Sequence, residues 1–400
     1  MELLRLGIII VAIVVALRRK FSPGTVLFGA GVLAALLYRI PLSALLQGYW
    51  DLIRSERFIT LTLIVITVTV LGALLKELGY LELLATHCTR LPGGRRTAVA
   101  LMPLMVGLMP MPGGSLLSAP LVDSALAGTG HAPEFKCAAN YWFRHLAEFS
   151  WPIYPGLILT AGLTGMTVGD VSLLQLPLSV SMFVIGLLVF TRRIPRDGRQ
   201  PAAFVVTVVG ILGTLWPILL AIVLYGVFQV NLALAVTLSL LLLVVKERPR
   251  AASLKVALRH GTSPRLIFLV FGILSFQAVL EMTGTIKTIP AIAEQLHLPG
   301  VAVIIIVCFV IGFLTGMVSA YVGLGYSLLA GMLYQPTVIP SHILLAYISG
   351  FIGIMLAPSH VCLVLTNEYF GSELQRVYRQ LAWPLVLQAL AGIVLVLLHS

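Results

Sequence analysis

Long apolar runs, separated by short loops that carry most of the basic residues, dominate this chain of 400 residues. A helix needs about 20 apolar residues to cross a bilayer, and the stretch 201–245 contains no charged residue over roughly two such lengths. The pattern therefore predicts an all-α polytopic membrane protein. We predict ten crossings, near residues 3–17, 23–38, 58–75, 142–165, 172–191, 203–226, 229–245, 265–283, 342–366 and 381–398.

Two further apolar runs, 97–127 and 299–333, are interrupted near their centres. The first contains Pro110, Pro112 and a glycine pair, and the second contains a glycine-rich stretch over 319–325. Proline removes a backbone donor and glycine adds backbone freedom, so neither run is expected to form one straight helix. We predict that each run is a re-entrant hairpin, and the alternative is a kinked full crossing.

The distribution of Lys and Arg favours the re-entrant hairpins. If both runs are re-entrant, most basic residues fall on one side of the membrane, whereas two full crossings would remove this bias. Basic loops of membrane proteins are mainly cytoplasmic. We therefore expect a multi-pass protein of the cell (inner) membrane with both termini on the extracytoplasmic side.

The same topology predicts an internal repeat. Residues 1–191 and 203–400 each hold three crossings, a hairpin, an interrupted crossing and a final crossing, and residues 192–202 form a cytoplasmic linker. Five crossings per half is an odd number, so the second half is expected to be inverted relative to the first. Inverted repeats with matched discontinuous helices are typical of secondary transporters.

Composition excludes several other classes of function. With 59% hydrophobic and 10% charged residues, the chain lacks the polar surface of a soluble protein. The net charge of +11 lies in short loops, which favours lipid headgroups and excludes nucleic acid as a partner. No zinc-protease, nucleophile-elbow or Walker motif is present, so we expect neither an enzyme nor a nucleotide-driven pump.

Cysteine and histidine spacing gives no framework for a disulfide or a metal. The four cysteines are scattered along the chain. His360 and Cys362 are two residues apart, which is more typical of packing than of metal ligands. We predict no cofactor, with Na⁺ as the one expected ion, in the role of a coupling ion. The cysteines are Cys88, Cys137, Cys308 and Cys362.

The breaks in the apolar segments are the places where a substrate is expected. Non-helical backbone at membrane depth is tolerated only where protein or a water-filled cavity satisfies its polar groups. The two hairpin tips and the stretches 151–156 and 357–360 are such places, and half-helix N-termini there would attract an anion. The predicted substrate-binding residues are Pro112, Gly113, Gly114, Ser115, Asn140, Arg144, Tyr154, Gly323, Gly325, Ser327, Ser359 and His360.

Ionisable residues inside apolar segments are costly and therefore informative. Asp123, Glu148 and His145 are the predicted coupling-ion residues, with Asp123 as the first choice. Alternatives remain for each of them. Arg144 and Glu148 are four residues apart and can form an ion pair within one helix. Asp123 can lie in the cytoplasmic interface, and a histidine at a membrane boundary is more often solvated than part of a proton relay.

Several of these segments resemble a known family. Residues 109–123 (Met-Pro-Met-Pro-Gly-Gly-Ser-Leu-Leu-Ser-Ala-Pro-Leu-Val-Asp), residues 140–145 (Asn-Tyr-Trp-Phe-Arg-His), and the breaks at 151–156 and 357–360 are similar to the domain-of-unknown-function 401 family. That family resembles the ion transporter superfamily. The resemblance implies an elevator-type carrier, often a homodimer, with hairpin tips beside the substrate. It names no substrate, and neither hairpin has the Ser-Asn-Thr motif of the better-known carboxylate carriers.

These observations lead to one main hypothesis and two rivals. The main hypothesis is a secondary active transporter for a small organic anion, carboxylate-like and coupled to Na⁺ or H⁺. A cation/proton antiporter using the same ionisable residues is the second hypothesis. A non-transporting membrane scaffold or an intramembrane enzyme is the third, from another class of function.

Overall fold

The computed structural model describes residues 2–19, 21–88, 94–109, 114–195, 204–295 and 297–399. Every regular element in these ranges is helical. The helices of the first half are α1 (Glu2–Arg18), α2 (Pro23–Leu37), α3 (Leu42–Arg54), α4 (Glu56–Glu77), α5 (Tyr80–Cys88), α6 (Gly94–Gly107), α7 (Ser115–Ala125), α8 (Pro133–Arg144), α9 (Pro155–Thr164) and α10 (Val168–Val189).

The second half of the chain is also helical. They are α11 (Phe204–Gly226), α12 (Leu232–Glu247), α13 (Ala251–Gly261), α14 (Pro264–Met282), α15 (Thr288–Gln295), α16 (Gly300–Thr315), α17 (Val318–Ala320), α18 (Ala330–Leu333), α19 (Pro340–Leu356), α20 (Val361–Phe370) and α21 (Leu374–Leu398). A π-helical segment, Tyr321–Tyr326, follows α17 directly.

The prediction of a multi-pass helical membrane protein is confirmed. In the described ranges, 6 helical stretches are long and apolar enough to cross a membrane, and shorter apolar helices accompany them. The outer face of α10 shows the expected surface, because Leu173, Leu176 and Val180 are exposed while Leu178 and Met182 of the opposite face are buried. A membrane helix presents such an apolar stripe to lipid.

The interrupted segments are broken at defined residues. The crossing predicted at 142–165 is longer than expected, because α8 begins at Pro133 and ends at Arg144, and α9 begins at Pro155. A 3-10 turn, Leu146–Phe149, lies between them. Arg144 therefore lies at the middle of the broken crossing and not near its start. The other broken crossing, α19 and α20, is interrupted at 357–360 as predicted.

The second hairpin breaks earlier than the sequence pattern suggests. We placed its interruption at 319–325, but this stretch is helical, because α17 passes into the π-helical segment. The chain turns instead at Gly316, whose φ of 62° is left-handed and ends α16. Glycine adopts this conformation without a steric penalty, which explains why the helix ends there. In the first hairpin, the tip residues 110–113 and thus Pro112 and Gly113 lie outside the described residues.

In the second half, two helices pack through close backbone contacts at glycines and not through large apolar side chains. Gly312 of α16 faces Gly350 of α19, and a Cβ added to Gly312 would lie 3.1 Å from the carbonyl carbon of Gly350. One turn further on, a Cβ added to Gly353 would lie 2.9 Å from the nitrogen of Phe313. Small residues let membrane helices pack at short distance, so these glycines hold α16 against α19.

We expect Gly312→Val to destabilise the protein by about 1–3 kcal/mol, because the added side chain would separate two closely packed backbones. The measurement is the thermal unfolding midpoint in detergent. The matched control is Gly213→Val in α11, where an added Cβ meets nothing within 4 Å. Equal melting midpoints for the two variants would show that the α16–α19 contact does not limit stability.

Candidate functional site

The chain breaks described above meet in one buried region. Ser115, the first residue of α7, donates from its hydroxyl to the carbonyl of Cys362 in α20, at 2.9 Å. His360, which precedes α20, bonds through Nδ1 to the carbonyl of Gly316 at the second hairpin, at 2.7 Å. The break between α8 and α9 joins the same region through His145, described below. Residues from both halves of the chain therefore form a single polar centre.

Arg144 is held at the C-terminal end of α8 and is almost completely buried. Its Nη1 donates to the hydroxyl of Tyr154 at 2.9 Å, and that hydroxyl donates in turn to the carbonyl of Gly107 at the end of α6. The two hydrogen bonds of Tyr154 join the start of α9 to the ends of α8 and α6. The guanidinium is thereby fixed between the first hairpin and the first broken crossing.

Glu148 gives this region its negative charge. Its Oε1 lies 3.6 Å from Nη1 of Arg144, so the ion pair expected from the spacing exists, although α8 has ended and a 3-10 turn carries the carboxylate. The hydroxyl of Tyr347 donates to the backbone carbonyl of Glu148 at 2.8 Å. The second carboxylate oxygen of Glu148, Oε2, is buried and has no hydrogen-bond partner among the described residues.

Two histidines face each other beside this ion pair. His145 Nε2 and His360 Nε2 are 3.0 Å apart, and both rings are buried. His145 Nδ1 lies 2.6 Å from the carbonyl of Tyr141, just as His360 Nδ1 contacts the carbonyl of Gly316. Burial of His145 differs from the solvated boundary position that the sequence favoured, because the crossing starts earlier than predicted.

Cys362 completes the cluster. One ligand atom from each of His145, His360 and Cys362 lies within 4.8 Å of the other two. The spacing of His360 and Cys362 favoured packing over metal binding. The signal that could have identified the cluster was the position of this pair at the end of the break 357–360.

Asn140 supports the start of α7. Its Nδ2 donates to the carbonyl of Ser115 at 2.9 Å, and both residues are fully buried. Gly114 precedes Ser115 and caps α7. Asn140 therefore joins α8 to the first half-helix after the hairpin tip.

Other predicted site residues lie apart from this centre or at its edge. Asp123 is paired with Lys136, with Oδ1 and Nζ 2.7 Å apart, and its side chain is 45% exposed. A Cβ on Gly323 would meet Ile273 of α14, and one on Gly325 would lie 3.2 Å from the sulfur of Cys308. Ser327 bonds to the carbonyl of Gly323 within its own helix. Ser359 is exposed, and its carbonyl carbon would lie 3.2 Å from a Cβ on Gly316.

Besides Cys362, three contributors were missed by the sequence reasoning. Gly107 and Gly316 contribute backbone carbonyls. Every residue has a carbonyl, so the residue type does not predict this contribution. Tyr347 lies within an unbroken stretch of α19 and reaches Glu148 across the fold.

A cavity of about 620 Å³ lies beside α9, between α4, α12 and α14. Arg57 of α4 lines it and donates to the carbonyls of Gly162 and Leu163, at 2.6 and 3.1 Å. The same guanidinium donates to Oε1 of Gln277 in α14 at 2.8 Å. Glu281, which the sequence analysis did not include among the site residues, accepts from Gln277 at 3.0 Å. Arg57 thus ties the C-terminal end of α9 to two long helices.

Comparisons with known proteins agree with this architecture. The family model described as "Protein of unknown function (DUF401)" matches residues 2–398. Among solved structures, the YdaH transporter of Alcanivorax borkumensis is similar, with a TM-score of 0.64 and 12% sequence identity. The match covers 94% of this chain and 98% of that chain, and at this identity it shows a shared fold. A search of curated proteins found no match.

We expect Tyr154→Phe to lower the free energy of unfolding by about 2 kcal/mol, because it removes a buried hydroxyl that bonds a charged group and a carbonyl. The measurement is the thermal unfolding midpoint in detergent. Tyr369→Phe is the matched control, since Tyr369 is 40% exposed. A shift no larger than that of the control would mean that Arg144 does not depend on this hydroxyl for its position.

Proposed function

Because this chain belongs to the DUF401 family of proteins of unknown function, we propose its function from its own geometry: secondary active transport of a small, carboxylate-like organic anion. The anion moves together with Na⁺ or H⁺. A transport role in general agrees with the fold that the chain shares with a transporter. The substrate class rests on the centre where the chain breaks meet.

Buried Arg144 is the observation that carries this proposal. Its side chain is 2% exposed, and it lies where two broken crossings and the first hairpin come together. A cation is expensive at such a depth and is retained there mainly for function. A guanidinium also binds carboxylates with good geometry, because it presents several donors in one plane.

The order of the helices supports an inverted repeat of the transporter kind. Helices α1 to α10 and α11 to α21 follow the same succession, including a short amphipathic helix, a hairpin and a broken crossing in each half. We propose residues 1–191 and 203–400 as the two repeats, with 192–202 as a cytoplasmic linker, of which 196–202 lie outside the described residues. Alternating access would come from an elevator-type movement of the hairpin-bearing helices.

The cellular setting follows from the same topology. We propose a multi-pass protein of the cell (inner) membrane, with both termini extracytoplasmic and basic loops near the cytoplasmic lipid headgroups. A homodimer is proposed as its assembly.

The coupling role is better placed on Glu148 than on Asp123. Glu148 is buried beside Arg144, and one of its oxygens has no partner among the described residues. Asp123 is half-exposed and paired with Lys136. Coupling needs a charge that the bound cation compensates at the substrate site, and Glu148 meets this requirement. Freed backbone carbonyls at the breaks would add oxygen ligands for Na⁺.

A cation/proton antiporter is the second candidate. The observation in its favour is that Glu148 and His145 are neighbours in one buried region, with 3.8 Å between Oε1 and Nε2. It differs from the first candidate in needing no organic substrate, so flux without an added anion would favour it.

We expect an anion of the right class to stabilise the purified protein, because a ligand of the folded state raises its stability by mass action. The probes are succinate, citrate, gluconate and sulfate, each as its Na⁺ and K⁺ salt, and the readout is the thermal unfolding midpoint. The shift should vanish in Arg144→Ala and be reduced in Arg144→Lys, which keeps the charge but loses the planar set of donors.

Arg376→Ala is the matched control for this screen, because Arg376 is exposed and paired with Glu373. It should keep the full shift. An undiminished shift in Arg144→Ala would show that the anion binds elsewhere, and the absence of a shift with every anion would contradict the proposed substrate class.

We expect Glu148→Gln to abolish the dependence of anion uptake on the cation gradient in proteoliposomes, since the variant has no charge to compensate. Asp123→Asn should keep that dependence, because its partner Lys136 lies outside the central cluster. The measurement is uptake of the stabilising anion with and without an imposed Na⁺ or pH gradient. The reverse result would return the coupling role to Asp123.

A further inference from the structure

The two facing histidines raise a question that anion transport does not answer. A backbone carbonyl can only accept a hydrogen bond, so each Nδ1, bonded to the carbonyl of Tyr141 or Gly316, must carry its ring proton. In neutral imidazoles this leaves both Nε2 atoms as bare acceptors. They nevertheless lie 3.0 Å apart in a buried position, with their lone pairs directed at one region. Two such acceptors require an electron-pair acceptor between them.

Two further donor groups surround the same point. Cys362 contributes a third ligand atom within 4.8 Å of the other two. Glu148 lies beside them, with Oε1 at 3.8 Å from His145 Nε2 and a second oxygen without a partner among the described residues. The glutamate side chain is 9% exposed. Two nitrogens and a sulfur from the two broken crossings thus converge, and a carboxylate oxygen lies next to one of the nitrogens.

We propose that His145, His360 and Cys362 bind a soft divalent cation of the zinc class, with the Glu148 carboxylate beside it. Two imidazoles and a thiolate form a donor set that Zn²⁺ accepts in tetrahedral geometry with one position left open. Na⁺, Mg²⁺ and Ca²⁺ prefer oxygen ligands and do not match this set. The proposal goes beyond anion transport and does not rest on it.

The surrounding bonds fit the requirements of such a site. Metal-bound histidines usually donate their other ring N–H to a carbonyl or carboxylate, as Nδ1 of both rings does here. At Zn–N distances of 2.0–2.1 Å, tetrahedral nitrogens are about 3.3–3.4 Å apart. The two Nε2 atoms therefore need to separate by only about 0.3–0.4 Å from their present 3.0 Å.

The charges balance without any further group. On binding, the Cys362 thiol releases its proton to solvent, and the thiolate and the Glu148 carboxylate together offset the two positive charges of the metal. Arg144 would then lose part of its attraction to Glu148 and keep its bond to Tyr154. The rival occupant of the space between the rings is a single proton shared by the two Nε2 atoms, which needs neither the sulfur nor the carboxylate.

The test uses the full chain, without a polyhistidine tag, purified in detergent and loaded with Co²⁺ or Zn²⁺. Metal content is measured by mass spectrometry, and Co²⁺ reports its ligands through visible absorption and a thiolate-to-metal charge-transfer band. We expect about one metal per chain, tetrahedral Co²⁺ absorption and a thiolate band. Cys362→Ser should remove the band, and Cys362→Ser and His360→Ala should each weaken Zn²⁺ binding at least about tenfold.

Cys308→Ser is the matched control, because Cys308 is also a buried free cysteine but lies in α16, in contact with Gly325. It should leave the band and the affinity unchanged. The wild-type spectrum tests the proposal even if a ligand variant fails to fold. Substoichiometric metal, Co²⁺ without a thiolate band, or equal losses in Cys308→Ser and Cys362→Ser would overturn it. Because no substrate is present, failure here leaves the anion proposal standing, and failure of the anion screen leaves this one standing.

Discussion

Unpaired backbone groups in an apolar interior are the constraint on which this structure depends. Each chain break frees carbonyl and amide groups that lipid cannot satisfy. Side chains from distant elements meet the need: Tyr154 donates to Gly107, Ser115 to Cys362, and His360 to Gly316. These bonds connect both hairpins with both broken crossings, so the polar centre joins the two halves of the chain.

The sequence predicted which segments would be broken, because proline and glycine have local effects that do not depend on the rest of the fold. The interruption at 357–360 was placed correctly for this reason. The interruption of the second hairpin was predicted at the wrong glycines. Gly323 and Gly325 lie within a continuous helix and make room for Ile273 and Cys308, whereas the left-handed Gly316 turns the chain. Composition does not distinguish a glycine needed for its conformation from one needed for close packing.

Some residues of the polar centre could be predicted from the sequence. The others are brought there by contacts between distant parts of the chain. Buried charges near a break identified Arg144 and Glu148, because their cost in an apolar segment is visible in the sequence. Whether a charge is neutralised nearby depends on tertiary contacts. Lys136 reaches Asp123 across 13 positions, while His145 reaches His360 across 215. The family was recognised from the residues at these same breaks, and the match over residues 2–398 confirms it.

The contacts of Arg57 have a consequence for the rate of conformational change. Its guanidinium holds two carbonyls at the end of α9 and the side chain of Gln277 in α14 at the same time. Any displacement of α9 past α4 must first break two charge-assisted hydrogen bonds, and such bonds are among the stronger ones in proteins. Their rupture adds to the activation barrier between conformations. If α9 moves past α4 during the proposed transport, the rate of each cycle therefore depends on the release of Arg57.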